Sequence, residues 1–244
     1  SDFQLIEELI EEINVQQIDH LLEIGPGKGA MTSLLLEKCE SLTAIEIDKD
    51  LIRFLKKAYG DRKNFNLIEK DILLYDPKEL VRVNKLIGNI PYNISTPIIE
   101  WIIDNKSSFD EIFLMLQKEF GERCVAQPNT KSYGRLSIFV QCFFDVTVIR
   151  EVDKSSFDPS PKVQSIFLKL IPKVSDMTPN SILMKNLSTL TREAFSKRRK
   201  LITNSLKSFF TEEDLVNLGV ERKSRPENLS VETYIKLAKS IQSG

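Results

Sequence analysis

Residues that bind metals or form disulfides are scarce in this chain. Its 244 residues include one histidine and three cysteines. Cys39, Cys124 and Cys142 are scattered without the paired spacing of zinc sites, so no metal and a reducing, cytoplasmic compartment are expected. His20 has no nucleophile or carboxylate cluster around it and reads as structural, which leaves a Ser-His-Asp or His-metal mechanism poorly served. No apolar run approaches the roughly 20 residues that span a bilayer, and no internal repeat or low-complexity segment is found. Excess charge of one sign is lacking too. The formal net charge of −1 argues against a uniformly basic nucleic-acid binder, although a local patch can still contact phosphate. An initiator methionine and a signal-peptide pattern are also missing. Ser1 is therefore expected to follow a lost natural beginning, along with any targeting information it carried.

What is present is a globular composition, 41% hydrophobic and 28% charged, long enough for one large domain and a smaller one. An amphipathic helix is expected through Leu5, Ile6, Leu9, Ile10 and Ile13. Strands are predicted at about 20–24, 42–47, 65–69, 84–88 and 111–117, with helical patterns between them. Strands apolar almost throughout, alternating with helices, imply a parallel α/β sheet covered on both faces. After residue 135 the pattern changes to a buried helix over 136–144 and strands at 146–152 and about 164–171. The last of these is expected to pair antiparallel beside 111–117 as an edge hairpin. From about 176 the chain looks wholly helical, at 179–191, 192–208, 211–217 and 230–242, with capping signals at Thr211 and Ser230. The expected division is 1–175 for the α/β domain and 176–244 for a small helical domain.

Two motifs carry chemistry. In Leu21-Leu22-Glu23-Ile24-Gly25-Pro26-Gly27-Lys28-Gly29 an apolar strand ends in three alternating glycines, and a helical pattern follows. Such a turn lets the backbone approach a ligand beside free helix N–H groups. Glu46 follows about 20 residues on, at the end of the next strand, a spacing suited to a ribose in a Rossmann-like unit. Pro26 and Lys28 depart from the dinucleotide fingerprint, so S-adenosylmethionine suits the turn better than NAD. Asp71 is placed to accept from an adenine amine, with the Ile72 N–H near a ring nitrogen; a turn cap is the plainer role for Asp71.

The second motif is Asn89-Ile90-Pro91-Tyr92, directly after the run Lys85-Leu86-Ile87-Gly88. The Asn89 amide oxygen and the Ile90 or Pro91 carbonyl can accept both N–H bonds of an exocyclic amine, and Tyr92 can stack on a base. A turn that merely closes a strand is the plainer alternative. These segments all fall just past strand ends, the edge where open α/β sheets bind ligands. Phe157, in Phe157-Asp158-Pro159-Ser160-Pro161-Lys162-Val163, projects from a proline-stiffened loop and can close the opposite face of that base. The clearest basic patch is Lys197-Arg198-Arg199-Lys200, with Lys185, Arg192 and Lys207 nearby. At about 100° per residue Lys197, Lys200 and Lys207 share one helix face. Such a face is either an RNA-phosphate contact or ordinary solvated surface.

Taken together the motifs resemble the ribosomal RNA adenine N6,N6-dimethyltransferases of the KsgA type, relatives of the Erm methylases. The resemblance covers nearly the whole chain. It rests on Glu23 to Gly29, Glu46-Ile47-Asp48, Gly88 to Ser95, Gln117-Lys118-Glu119, Tyr133-Gly134-Arg135-Leu136-Ser137 and Phe157 to Val163. Phe195 to Lys200 and Arg225-Pro226-Glu227-Asn228-Leu229-Ser230 favour the KsgA branch. It implies a class I methyltransferase sheet with a C-terminal helical domain, a monomer acting on two adjacent adenines in the terminal hairpin of small-subunit rRNA. S-adenosylmethionine would be held by Glu23, Gly25 and Gly27 at its methionine part, Glu46 and Ile47 at the ribose, and Asp71 and Ile72 at the adenine, with Asn89 also among the cofactor-binding residues. Asn89 to Tyr92 and Phe157 would position the target base. Lys197, Arg198, Arg199, Lys200 and Lys207 would meet the small subunit.

One departure concerns the family's basic N-terminal segment, which ends in Gly-Gln-(Asn/His)-Phe-Leu. This sequence starts just after that motif, and weak cofactor binding and poor methylation are expected without it. Rival readings are an Erm-type large-subunit methylase, a DNA adenine methyltransferase, an NAD-dependent oxidoreductase, and a non-catalytic ribosome-assembly factor on the same fold.

Overall fold

The computed structural model describes residues 3–80, 83–153, 163–174, 178 and 181–241, and the backbone alone of Tyr92. Residue contacts divide the chain into two compact units. One holds the chain up to Gly121 with Thr147–Pro172; the other holds Glu122–Val146 with the chain from Lys173 onward. This partition differs from a cut at 175/176 over Glu122–Val146. The reason is that helix α6 (Arg135–Phe143) packs on the late helices α7 (Ile182–Ser196) and α10 (Val231–Ser240).

In the first unit, α1 (Phe3–Ile13) precedes β1 (His20–Ile24), α2 (Ala30–Leu36), β2 (Ser41–Glu46), α3 (Lys49–Tyr59) and β3 (Phe65–Glu69). Then come β4 (Lys85–Asn89), α4 (Ser95–Asp104), β5 (Glu111–Gln117) and α5 (Lys118–Val125), with β6 (Phe144–Val152) and β7 (Ser165–Pro172) later in the chain. One seven-stranded sheet results, in the order β3-β2-β1-β4-β5-β7-β6. The first five strands pair in parallel, and β7 runs antiparallel to β5 with Ile112 opposite Leu170. Strand order reverses between β1 and β4, and such a switch point opens a crevice beyond the carboxyl ends.

The sequence pattern explains the layers. Helix α1 buries Ile6, Leu9, Ile10 and Ile13 at helical spacing against Leu21, Ile87, Phe113 and Phe167 of the sheet. The Phe113 and Phe167 rings stack with centroids 6.1 Å apart. Helix α4 buries Ile98, Ile99, Ile102 and Ile103, and Trp101 donates its indole N–H to the Tyr75 carbonyl at 2.8 Å. No helix among the described residues is long and apolar enough to cross a membrane.

At the amino ends of the strands a buried polar cluster ties the sheet together. The Lys85 ammonium lies 2.8 Å from Asp19 Oδ2 and donates to the Asn14 carbonyl at 3.0 Å. Asn84 donates to Asp19 Oδ1 at 2.6 Å and accepts from the His20 N–H at 2.7 Å. Burial pushes the Asp19 carboxyl upward, but bonds from the Gln16 N–H, Lys85 and Asn84 outweigh it, so the group sits below its ordinary range.

The second unit is helical. Tyr133 donates to the Leu229 carbonyl and Tyr234 to the Pro226 carbonyl, each at 2.8 Å, and the Phe195 ring lies beside both. Ser181, Thr211 and Ser230 cap α7, α9 (Glu212–Asn217) and α10. The expected helix over 192–208 is corrected: α7 continues to Ser196, and only Ile202–Ser205 (α8) is helical beyond it. Lys197 leaves helical geometry at φ −126°, ψ 46°. Buried Ile202 and Leu206, and a bond from the Ile202 N–H to the Ser224 carbonyl, outweigh local helix propensity there.

Replacing Lys85 by Ala should leave Asp19 buried without its cation and cost about 3 kcal/mol or more. Urea unfolding at neutral pH checks this: the midpoint should fall with the slope unchanged, and an unshifted midpoint would make the cluster energetically idle.

Candidate active site

The glycine turn extends the sheet before it leaves it. The Gly25 N–H donates to the Ile45 carbonyl at 3.0 Å, one residue beyond β1. Gly25, Gly27 and Gly29 then take φ of 61°, 60° and 75°, a left-handed region that penalises other residues. Gly29 has a second constraint, because a Cβ there would meet the Tyr59 ring at 2.7 Å. Tyr59 also donates to the Gly29 carbonyl at 3.1 Å, fixing the residue that starts α2.

Parallel register brings the second motif beside this turn. Ile24 is level with Gly88, so Gly25 is abreast of Asn89, and a Cβ on Gly25 would lie 4.0 Å from the Asn89 carbonyl oxygen. Asn89 is the last residue of β4 and is exposed, and its side-chain amide has no hydrogen bond among the described residues. Ile90 is buried and donates its N–H to the Met115 carbonyl at 3.0 Å. The Pro91 carbonyl accepts from the Ile94 N–H at 3.2 Å and from Ser95 Oγ at 3.4 Å. Of the two carbonyls expected to face an amine, that of Ile90 is the less engaged. Tyr92 opens a short 3-10 turn; its ring and all of Phe157 lie outside the described residues.

The acidic residues divide by environment. Glu23 is buried within β1, and Thr32 of α2 donates to its Oε2 at 2.7 Å. Burial raises the Glu23 carboxyl to about 7, with the Thr32 bond opposing and the nearby Glu46 charge reinforcing the rise. Glu46 is also buried; its Oε1 takes the Ile47 and Asp48 N–H groups at 2.9 and 3.0 Å, leaving Oε2 uncommitted among the described residues. Asp71 accepts from the Leu73 N–H at 3.0 Å and so does cap a turn, its other oxygen having no hydrogen bond among the described residues. Ile72 packs inward, whereas Ile47 is 66% exposed.

A cavity of ≈ 460 Å³ opens at the switch point, within the range of small-molecule sites. Of the residues singled out from sequence, Glu23, Gly25, Gly27 and Asn89 line it; Glu46, Ile47, Asp71 and Ile72 stand along the same sheet edge outside its wall. Sequence reasoning missed the apolar wall of Leu5, Ile6, Leu9, Met115 and Phe167. Periodicity marked these positions as buried but carried no signal that they border a ligand.

In the second unit the basic run is not a helix face, which corrects that expectation. Lys197, Arg198 and Arg199 form a turn, Lys200 follows in a bend and Lys207 lies in a separate turn. Arg198 donates to Glu227 Oε2 at 2.7 Å and to the Thr130 carbonyl at 3.3 Å, while Lys197, Arg199, Lys200 and Lys207 are exposed.

The pattern of the ribosomal RNA adenine dimethylase family matches residues 1–243. The chain belongs to that family. Ribosomal RNA small subunit methyltransferase A of Legionella pneumophila (strain Corby) is 40% identical over 243 residues, 99% of this chain and 94% of that protein. The crystal structure of a dimethyladenosine transferase from Plasmodium falciparum superposes with a TM-score of 0.80 at 30% identity, covering 96% of this chain and 94% of the other. The 23S rRNA methyltransferase ErmE gives 0.76 at 22% identity over 99% and 98% of the two chains, which shows the shared fold.

Membership brings dependence on S-adenosylmethionine as methyl donor, and the residues fit that group. The glycine turn clears space, and Glu23 lines the cavity with no lysine or arginine paired to its carboxylate among the described residues. A sulfonium nucleoside carrying an ammonium group matches that chemistry.

The raised Glu23 carboxyl makes a linkage prediction. Its folded value of about 7 exceeds the ordinary 4.5, so its contribution to stability is greatest in acid and is lost as pH rises from 4.5 through 7. Glu23→Gln removes that loss. Measured without ligand, its melting temperature relative to the native protein should rise by about 5 °C between pH 5 and pH 8. A difference independent of pH would mean that Glu23 is not desolvated as described.

Proposed function

We propose that this chain transfers methyl groups from S-adenosylmethionine to N6 of two adjacent adenines in the 3′-terminal hairpin of small-subunit ribosomal RNA. The observation that carries this is the juxtaposition of the Gly25 turn with the uncommitted Asn89 amide at the ends of β1 and β4. The small-subunit enzymes at 37–40% identity support the substrate class.

In this reading Glu23, Gly25 and Gly27 hold the amino-acid end of the donor, Glu46 and Ile47 the ribose, and Asp71 and Ile72 the adenine. When bound, the donor supplies a methyl group electrophilic enough to need no activation. The acceptor is the harder half, since the N6 lone pair of adenine is delocalised into its ring. Asn89 Oδ1 and the Ile90 carbonyl accept from the amine, draw it toward tetrahedral geometry and hold it for attack. Both acceptors also stabilise positive charge growing on nitrogen. The proton on the methylated nitrogen is acidic and leaves to water, so no dedicated base is required. Tyr92, with Phe157 opposite, stacks on a base that must leave its own stack, which favours a hairpin end as target. Lys197, Arg199, Lys200 and Lys207 supply phosphate contacts. No metal and no membrane take part, and the enzyme works as a cytoplasmic monomer.

The decisive experiment transfers labelled methyl groups to unmethylated small subunits and maps the modified nucleotide; label on large-subunit rRNA, or on none, would overturn the assignment. Asn89→Ala should lower kcat by about 100-fold or more while S-adenosylmethionine affinity stays within about threefold. Retained turnover would remove Asn89 from the chemical step. Charge reversal at Lys197 and Lys200 should weaken subunit binding and flatten the plot of log affinity against log salt by roughly 1.5 to 2. An unchanged slope would make that turn ordinary solvated surface.

A further inference from the structure

Glu23 presents an unusual problem of charge. It lies in the interior of β1, between Ala44 of β2 and Ile87 of β4, and is only 4% exposed. Glu23 lines the cavity, and its carboxylate Oε2 accepts from the Thr32 hydroxyl at 2.7 Å. Thr32 is itself fully buried and lines no part of the cavity. Its hydroxyl therefore cannot touch a ligand there, yet it is the only side-chain hydrogen-bond donor to the Glu23 carboxylate among the described residues.

The surrounding charges offer no substitute. From β2, Glu46 adds negative charge, and Cys39 beyond α2 has a thiol pushed up to about 12 and stays neutral. Lys28 lines the same cavity but forms no ion pair with Glu23 among the described residues. From β4, Ile87 and Gly88 bring no charge, and Asn89 brings a neutral amide. A buried carboxylate in such surroundings takes up a proton unless a donor or a cation holds the ionised form.

We propose that Thr32 is a positioning residue: its hydroxyl favours the ionised form of the Glu23 carboxylate and fixes its orientation beside the cavity, ready to hold the ammonium group at the amino-acid end of the methyl donor. This rests on the donor reading above and extends it to a residue behind the site. Protonated Glu23 cannot pair with an ammonium group, so ligand binding must first expel that proton. Affinity then rises with pH until Glu23 is ionised on its own. Without the Thr32 hydroxyl the threshold moves to higher pH, and binding recovers once that threshold is passed. A merely structural defect would instead weaken binding equally at every pH.

The test measures calorimetric affinity for S-adenosylhomocysteine, which keeps the ammonium group but lacks the sulfonium, from pH 6 to pH 8.5. Taking the ratio of variant to native Kd at each pH cancels titration of the ligand's own amine. For Thr32→Val, which is nearly isosteric, the ratio should be about fivefold or more at pH 6.5 and about twofold or less at pH 8.5. Thr32→Ser keeps a hydroxyl and should follow the native profile within about twofold at every pH. 5′-Methylthioadenosine, which has no ammonium group, should bind native protein and Thr32→Val alike, and so confirms that the variant is folded. A ratio constant across pH, or no change at all, overturns the role of Thr32. Failure of the native protein to bind S-adenosylhomocysteine at any pH would instead overturn the donor reading on which it rests.

Discussion

The site depends on one register, the parallel pairing of β1 with β4 that sets Ile24 level with Gly88. Neither motif has a ligand-binding geometry alone. The glycine turn is a way out of a strand, and Asn89 is the last residue of another. Pairing at the point where strand order reverses brings both to one crevice, since the crossovers to β2 and β5 depart in opposite directions. Both strands are buried on both faces, so a slip of one residue would move every side chain into the opposite helix layer and undo the packing on each; the core that fixes the fold also fixes the site. Apolar side chains such as Leu22, Leu86 and Ile87, all nearly inaccessible, enforce the alignment.

Two buried carboxylates show how the sheet separates support from function. Asp19, at the amino ends of the strands, has a lysine within 2.8 Å and two further donors, and lies below its ordinary range. Glu23, four residues on, faces a cavity with one hydroxyl donor and rises to about 7. The first has its charge compensated by the protein and adds to stability; the second lacks its counter-charge and lowers stability at neutral pH. A group left in that condition is a candidate for binding, because a ligand can supply the missing charge.

Legibility in the sequence followed the same physics. Strands β1, β2, β4 and β5 were readable because each is largely apolar, and α1 because Ile6, Leu9, Ile10 and Ile13 repeat at helical spacing. The edge pairing of β7 with β5 was also anticipated, and Ile112 does face Leu170. The motif residues at the strand ends could be named for their chemistry and placed on one edge. What composition concealed was tertiary. The apolar wall from Leu9 to Phe167 gathers side chains from α1, β5 and β7 that are distant in sequence. Residues 122–146 pack with the late helices, although nothing local assigns them there.

The basic run illustrates the limit most sharply, because four consecutive cations look interchangeable in a sequence. A continuous helix would have put Lys197, Lys200 and Lys207 on one face, and helix propensity does not object. Burial of Ile202 goes with a turn instead, which holds Lys197, Arg198 and Arg199, while Lys200 follows in a bend and Lys207 lies in a separate turn. Arg198 is drawn inward to Glu227 and Thr130, each of them in a segment far away in sequence. A guanidinium held by a carboxylate has its charge already answered, so it fixes the turn and contributes little to an external phosphate. Its neighbours Lys197, Arg199 and Lys200 keep their charge in solvent, on a turn that the two Arg198 hydrogen bonds tie to Glu227 and Thr130. A fixed turn loses less conformational entropy on contact than a free one. The division within the run, one cation inward and three outward, is thus itself a form of preorganisation.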